Sequence, residues 1–372
     1  MKSPKRTWNF RVILVVPILM LMASCQLGRY IYYNFADIKD YKIFESRALH
    51  ADSMKFHFQV ATKGKVPKEV TIKGKDYIFE EYLKDNNTRA FLIIKNDTIQ
   101  YEKYFEGYNE QSIVPSFSMA KSVTSILIGC AIDEGFIQSV DEPVTQYIPE
   151  LKNKGFEKVT LKHLLQMTSG IKFNESYVNP FGEAASFYYG LNLRKQIAKM
   201  SMEKEPGKKF DYASGNTQLL GLVLERALKN KTITQYLQDK IWTPLGMEFD
   251  ASWSIDRKKD GLEKTFCCLN ARAKDFAKIG RLYKNKGNWN GKQIVSEKWV
   301  AESTKLDTTD GSAPYYQYQW WLPTPNTDFM AAGILGQYIY VNPSKDLIIV
   351  RLGKNEGKAN WWALFTSLAK AY

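Results

Sequence analysis

Apolar periodicity divides the chain into strand-like ends and a helical middle. From Ile78 to Phe105 the pattern is strand-like. Phe91-Leu92-Ile93-Ile94, the polar Lys95-Asn96-Asp97 and Thr98-Ile99-Gln100-Tyr101 read as a hairpin. Directly after it, Val123, Ile126, Leu127 and Cys130 fall at helical spacing, and Gly135 is a plausible stop. Residues 140–260 read mostly as helices and loops, with 161–167 and 217–227 as examples; in the latter Leu219, Leu220, Val223 and Leu224 share a face. More helix is expected over 270–304. Strand patterns return at 319–322, 336–341 and 347–352, and 361–371 reads as a closing helix. This order predicts an α/β (α+β) fold: one antiparallel sheet built from both chain ends, flanked by helices, with a mostly helical region inserted between them. A site is expected at their junction.

Composition changes this picture little. The chain has 372 residues, 24% charged and 44% hydrophobic, enough for a large core in one domain or two. Residues 26–74 are a mixed, aromatic-rich lead-in that reads as a linker with some packed structure, and the main domain is expected over 75–370. Of the net charge of +13, Lys2, Lys5, Arg6 and Arg11 supply four; the remaining lysines are scattered, and with no nucleic-acid module in view no nucleic-acid partner is expected.

The start of the chain adds an address. A basic stretch ending at Arg11 precedes an apolar run from Val12 to Met22, short for a membrane span. Met22-Ala23-Ser24-Cys25 then resembles a bacterial lipobox, which implies that residues 1–25 are a lipoprotein-type signal and that Cys25 is acylated and holds the protein to a membrane. A plain secretory signal and an uncleaved anchor are the alternatives. The other cysteines, Cys130, Cys267 and Cys268, form no disulfide framework by number or spacing, and the neighbouring pair offers no zinc spacing. Cys130 is expected in the core.

Candidate chemistry centres on Ser118-Met119-Ala120-Lys121. On a helix, residues three apart are neighbours. In the first turn, free N–H groups and the positive dipole end favour negative charge on Ser118. A lysine one turn away can take the serine proton if burial lowers its pKa. A second cluster, Tyr212-Ala213-Ser214-Gly215-Asn216, lies where a Pro- and Gly-marked loop enters a leucine-rich helix. A tyrosine hydroxyl both donates and accepts, so Tyr212 could relay a proton. Among His50, His57 and His163, the last sits in a helix pattern and reads as structural. No Gly-x-Ser-x-Gly elbow, His-Glu-x-x-His, Cys-x-x-Cys or phosphate loop occurs, so neither a metal nor a cofactor is expected.

Ser118-x-x-Lys121, then Tyr212-x-Ser214-x-Asn216, then a glycine-rich strand near the C-terminus, resembles the serine β-lactamase and penicillin-recognising enzyme superfamily. His163-Leu164-Leu165 with Thr168-Ser169-Gly170, and Pro244-Leu245-Gly246-Met247, resemble further segments of it. The resemblance is closest to class C β-lactamase-like hydrolases, esterases and 6-aminohexanoate-dimer hydrolases. It implies a β-lactamase/transpeptidase-like fold, Ser118 as nucleophile, Lys121 and Tyr212 as its proton acceptors, and an oxyanion hole from the N–H groups of Ser118 and Gln337. It places Tyr177, Ser214, Asn216 and Gly336 in substrate binding. Where β-lactamases and D-alanyl-D-alanine peptidases carry Lys or His before a Gly on the strand lining the site, Ile334 stands here. That departure argues against efficient β-lactam turnover.

The expectation is therefore a cell-envelope serine hydrolase that cleaves a small-molecule or peptide ester or amide through an acyl-enzyme. A β-lactamase or D-alanyl-D-alanine peptidase, and a peptide-binding or sensor protein acylated without turnover, are the alternatives. The sequence sets neither substrate nor oligomeric state.

Overall fold

The computed structural model describes residues 26–33, 35–325 and 327–372. The signal segment and Cys25 lie outside the described residues.

The central sheet has eight strands, in the order Tyr316–Gln317, Trp320–Trp321, Phe329–Gly333, Gln337–Asn342, Leu347–Gly353, Thr88–Lys95, Thr98–Tyr104, Gln59–Val60. Both chain ends contribute to it, as expected, and all pairs are antiparallel except Gln59–Val60, which runs parallel to Thr98–Ile99. The run Phe91-Leu92-Ile93-Ile94 is apolar throughout because both faces of its strand are covered. Phe91 and Ile93 pack with Trp361, Leu364, Phe365 and Leu368 of the closing helix Trp361–Ala371. Leu92 and Ile94 face the main core with Phe276 and Ile279 of the helix Ala273–Lys284. Asn96 and Asp97 turn this hairpin at φ of 50° and 55°, the left-handed geometry that a two-residue hairpin turn requires.

A second sheet was not foreseen. It pairs Ser46–Leu49, Ala251–Ser254, Leu269–Ala271 and Val114–Pro115, in that order. The segment 26–74 does carry packed structure: Ser46–Leu49 is an edge strand, and Ile38, Leu49 and Phe58 are buried in the main core. Among the described residues no helix is long and apolar enough to cross a membrane.

The helix Met119–Asp133 runs through the middle of the molecule and is buried over nearly its whole length. Ser214–Leu228 packs beside it. Side-chain bonds tie the first helix to its surroundings: Ser122 Oγ donates to the Gln319 carbonyl at 2.7 Å, and Thr124 Oγ1 reaches the Thr265 carbonyl at 3.1 Å. Cys130 lies in the core, as its place on the apolar face predicts.

Candidate active site

Every residue from Val114 to Ala131 is buried except Ser118. It caps the N-terminus of Met119–Asp133 without spending its hydroxyl on the cap, so Oγ faces the junction of sheet and helices. The residue before it, Phe117, is held at φ +44°. A bulky residue in the left-handed region costs free energy, and such strain gathers where a fold fixes a reactive group.

Lys121 Nζ is fully enclosed and makes three contacts: Ser118 Oγ at 2.9 Å, Ser214 Oγ at 3.0 Å and the Phe266 carbonyl at 2.9 Å. A neutral amine has two protons and one lone pair. It can donate to Ser214 and Phe266 and accept from Ser118, which is the arrangement a base needs. Burial favours that state, pushing the lysine from 10.5 down to about 8, and the nearby Glu175 carboxylate opposes it. The Tyr212 hydroxyl also bonds Ser118, and burial raises its pKa, so it stays protonated as a donor. Its ring stacks on Trp321, and Lys121 Nζ lies 5.2 Å from its centre.

Glu175 is the residue that the sequence did not single out. Its carboxylate accepts from Ser214 N at 2.7 Å, Ser214 Oγ at 2.6 Å and Tyr177 Oη at 2.7 Å. Ser214 thus gives its proton to Glu175 and its lone pair to Lys121, linking the two. Ser214 lines a cavity beside Ser118, where substrate binding was expected, and is also the bridge that orients the base. Removing the carboxylate takes away an influence that raises the lysine pKa. Glu175→Gln is therefore expected to move the acidic limb of kcat/KM below pH 8; a titration of rate against pH reads it, and an unmoved limb would uncouple Glu175 from Lys121.

Other expectations need correction. Gln337 lies opposite Gly333 in the sheet, fully buried and outside the lining of both cavities at Ser118, and its side-chain amide pairs with Gly353 N and O at 3.0 and 2.8 Å. The bend through Ile334, Leu335 and Gly336 carries it past the serine, and Ile334 stands there instead, lining both cavities that open on Ser118. Gly336 does not face substrate either. It adopts φ +79°, and an added Cβ would lie 1.8 Å from the Arg351 guanidinium, which bonds its carbonyl. The glycine that permits close approach is Gly333, where a Cβ would come within 2.5 Å of the Ser116 carbonyl and 3.0 Å of Ser118 N. Asn216 is buried away from the cavities and bonded to Ser169 and Met167. Tyr177 does line both cavities. His163 completes a capping box with Thr160, a structural role.

Cys267 and Cys268 form a disulfide between neighbours, contrary to the expectation of none. Adjacency in sequence is no framework, but the backbone turn at Cys268, φ +70°, brings the two sulfurs together. A ring this small removes little chain entropy, worth about 1 kcal/mol on that argument. Its effect is local: Cys267 lines the inner cavity beside Phe266, whose carbonyl holds Lys121. Beneath the same wall, Lys264 Nζ donates to the Phe187 and Tyr188 carbonyls at 3.0 and 2.8 Å, and burial pushes it down to about 7.

Comparison with known proteins agrees with this geometry. The chain is 27% identical to the 6-aminohexanoate-dimer hydrolase of Paenarthrobacter ureafaciens, over 73% of this chain and 74% of that one. It is 28% identical to protein flp of Staphylococcus aureus over 43% of this chain and 33% of that longer protein. A structure described as a 6-aminohexanoate-dimer hydrolase from Bacillus anthracis superposes with a TM-score of 0.80 at 24% identity, covering 92% and 94% of the two chains. A family VIII carboxylesterase superposes at 0.61 with 18% identity, covering 78% and 95%. The Beta-lactamase family model matches residues 78–360. With that match laid over the Ser118, Lys121 and Tyr212 constellation, the chain belongs to the beta-lactamase family and is a serine hydrolase of its type.

Proposed function

We propose that the protein hydrolyses an ester or amide through an acyl-enzyme on Ser118. One observation carries the reading: a buried lysine, with its pKa pushed to about 8, lies 2.9 Å from the hydroxyl of the helix-capping serine. Lys121 takes the proton as Ser118 Oγ attacks the carbonyl. The Ser118 N–H and the peptide N–H of Ile334, which follows the glycine packed against Ser118, receive the oxyanion. Two such donors are worth several kcal/mol in a dry site, of the order of 3 kcal/mol each. Tyr212 passes a proton to the leaving group. The Lys121 ammonium reprotonates Tyr212, and water, deprotonated by the neutral Lys121, then releases the acid.

Tyr212→Phe keeps the ring that stacks on Trp321 and removes only the hydroxyl. It is expected to lower kcat on an alkyl ester, whose alkoxide leaving group needs that proton, by roughly 10²–10⁴-fold. An unchanged kcat would remove Tyr212 from the proton path. The strand beside the serine, Phe329–Gly333, carries Ala331 and Ala332, and Ile334 follows. None is a cation, which supports an ester or amide substrate over a β-lactam.

We place the enzyme in the cell envelope, held to a membrane by an acylated Cys25. The lipobox-like Met22-Ala23-Ser24-Cys25 motivates this, and a disulfide at Cys267–Cys268 suits an oxidising compartment. Labelled palmitate should enter the wild type and not Cys25→Ala, and the variant should leave the membrane fraction. Equal labelling of both would contradict the anchor.

A further inference from the structure

Ser118 stands between two cavities of opposite character. The inner one, about 40 Å³, is walled by Phe117, Ala184, Ala185, Tyr188, Phe266 and Cys267, with no charged side chain. It suits a short apolar group. The outer one, about 260 Å³, is larger and built from rings: Tyr177, Tyr212, Trp321, Tyr338 and Trp362 line it, and Glu356 stands at its rim. The Trp321 and Trp362 rings meet at 66° with centres 5.8 Å apart, so the walls turn a corner rather than lie flat. Glu356 is exposed and is the one acidic side chain among the described residues lining this cavity; it also bonds the Tyr338 hydroxyl and interacts with the Arg351 guanidinium. Its backbone carbonyl accepts from Trp361 Nε1 at 2.9 Å, which fixes the carboxylate's segment to the closing helix. In a chain of net charge +13, a cavity lined by aromatic faces and a single carboxylate, with no lysine, arginine or histidine, departs from the average surface.

We propose that the outer cavity binds an ammonium group on the leaving part of the substrate, while the inner cavity takes a short apolar acyl group. Aromatic faces attract cations through their quadrupoles, more strongly once water is excluded, and a carboxylate at the rim supplies the counter-charge. The inference rests on the hydrolase reading for the direction of cleavage. In the step it describes, the acyl carbon bonds to Ser118 Oγ and its bond to the leaving oxygen or nitrogen breaks. The amino alcohol or diamine leaves with a proton. Water then takes the acyl group as a carboxylic acid.

The test compares acetylcholine with 3,3-dimethylbutyl acetate, its neutral isostere, by proton release, with p-nitrophenyl acetate as the reference substrate. The expected kcat/KM ratio favours the cation about tenfold or more. In Glu356→Gln and in Trp362→Leu the ratio should fall towards one, whatever happens to the absolute rates. If p-nitrophenyl acetate is turned over and the wild-type ratio is one or less, the proposal is overturned. If p-nitrophenyl acetate is not turned over, the hydrolase reading fails and calorimetric titration with choline chloride decides the cavity. Saturable binding weakened in both variants would support an ammonium site; no binding would overturn it.

Discussion

Lys121→Met is expected to lose turnover by about 10³-fold or more while leaving the fold at least as stable near neutral pH. The two halves have one cause. The chain encloses an amine with three polar contacts and no carboxylate touching it, so the charged form is disfavoured and its pKa falls from 10.5 to about 8. Below pH 8 both folded and unfolded chains hold the proton, and the folded state bears a penalty on the order of 3 kcal/mol for burying it. Between 8 and 10.5 the unfolded chain binds more protons than the folded one. Stability linked to this group therefore rises with pH across that window, and the penalty is gone above it. Methionine has similar length and no charge. It removes the penalty and forfeits the contact to the Phe266 carbonyl, so thermal melting at pH 6–7 should stay level or rise. Kinetics should show the loss in kcat. Activity of the wild type should climb through pH 8 as the lysine becomes neutral, and that limb should vanish from the residual rate of Lys121→Met. A variant that melts lower and keeps its rate would make Lys121 structural.

Ser118→Ala should abolish measurable turnover, a loss on the order of 10⁴–10⁶-fold, with an unchanged melting temperature. No group near it can replace the nucleophile: Tyr212 is kept protonated by burial, and Ser214 Oγ is committed to Glu175 at 2.6 Å. Residues that act as one unit fail together, so adding Lys121→Met to Ser118→Ala should cost little more. The serine is partly exposed and its hydroxyl makes no cap bond, and its loss leaves Lys121 two other partners. Stability thus separates the chemistry from folding. Equal rates for Ser118→Ala and wild type on a cleaved ester would end the mechanism.

How much of this the sequence holds depends on how local each feature is. Ser118 and Lys121 are one helical turn apart, so their contact follows from periodicity alone. The hairpin at Asn96-Asp97 and the helix Trp361–Ala371 are legible for the same reason. The oxyanion strand was misplaced by one glycine. Gly333 and Gly336 lie three residues apart in a bend, and only the packing of Gly333 against Ser116 and of Gly336 against Arg351 tells them apart. Gln337 and Asn216 were drawn towards substrate by motif position, yet both are buried in hydrogen bonds set by distant partners, Gly353 and Ser169. Glu175 is linked to Lys121 through Ser214 only because its loop folds across the start of the Ser214–Leu228 helix. The one local signal was an acid two residues before Tyr177, which the sequence could equally hold as a solvated charge. The edge strand Ser46–Leu49 pairs with residues some two hundred positions away, and no window of sequence contains that register.

The most direct measurement is the mass of peptides from wild-type protein quenched in acid during turnover of p-nitrophenyl acetate. An acetyl group is expected on the peptide containing Ser118, appearing within the first turnover, decaying when substrate is exhausted, and absent from Ser118→Ala. Acetyl found on another residue, or steady hydrolysis with no acyl-Ser118 at any time, would contradict it.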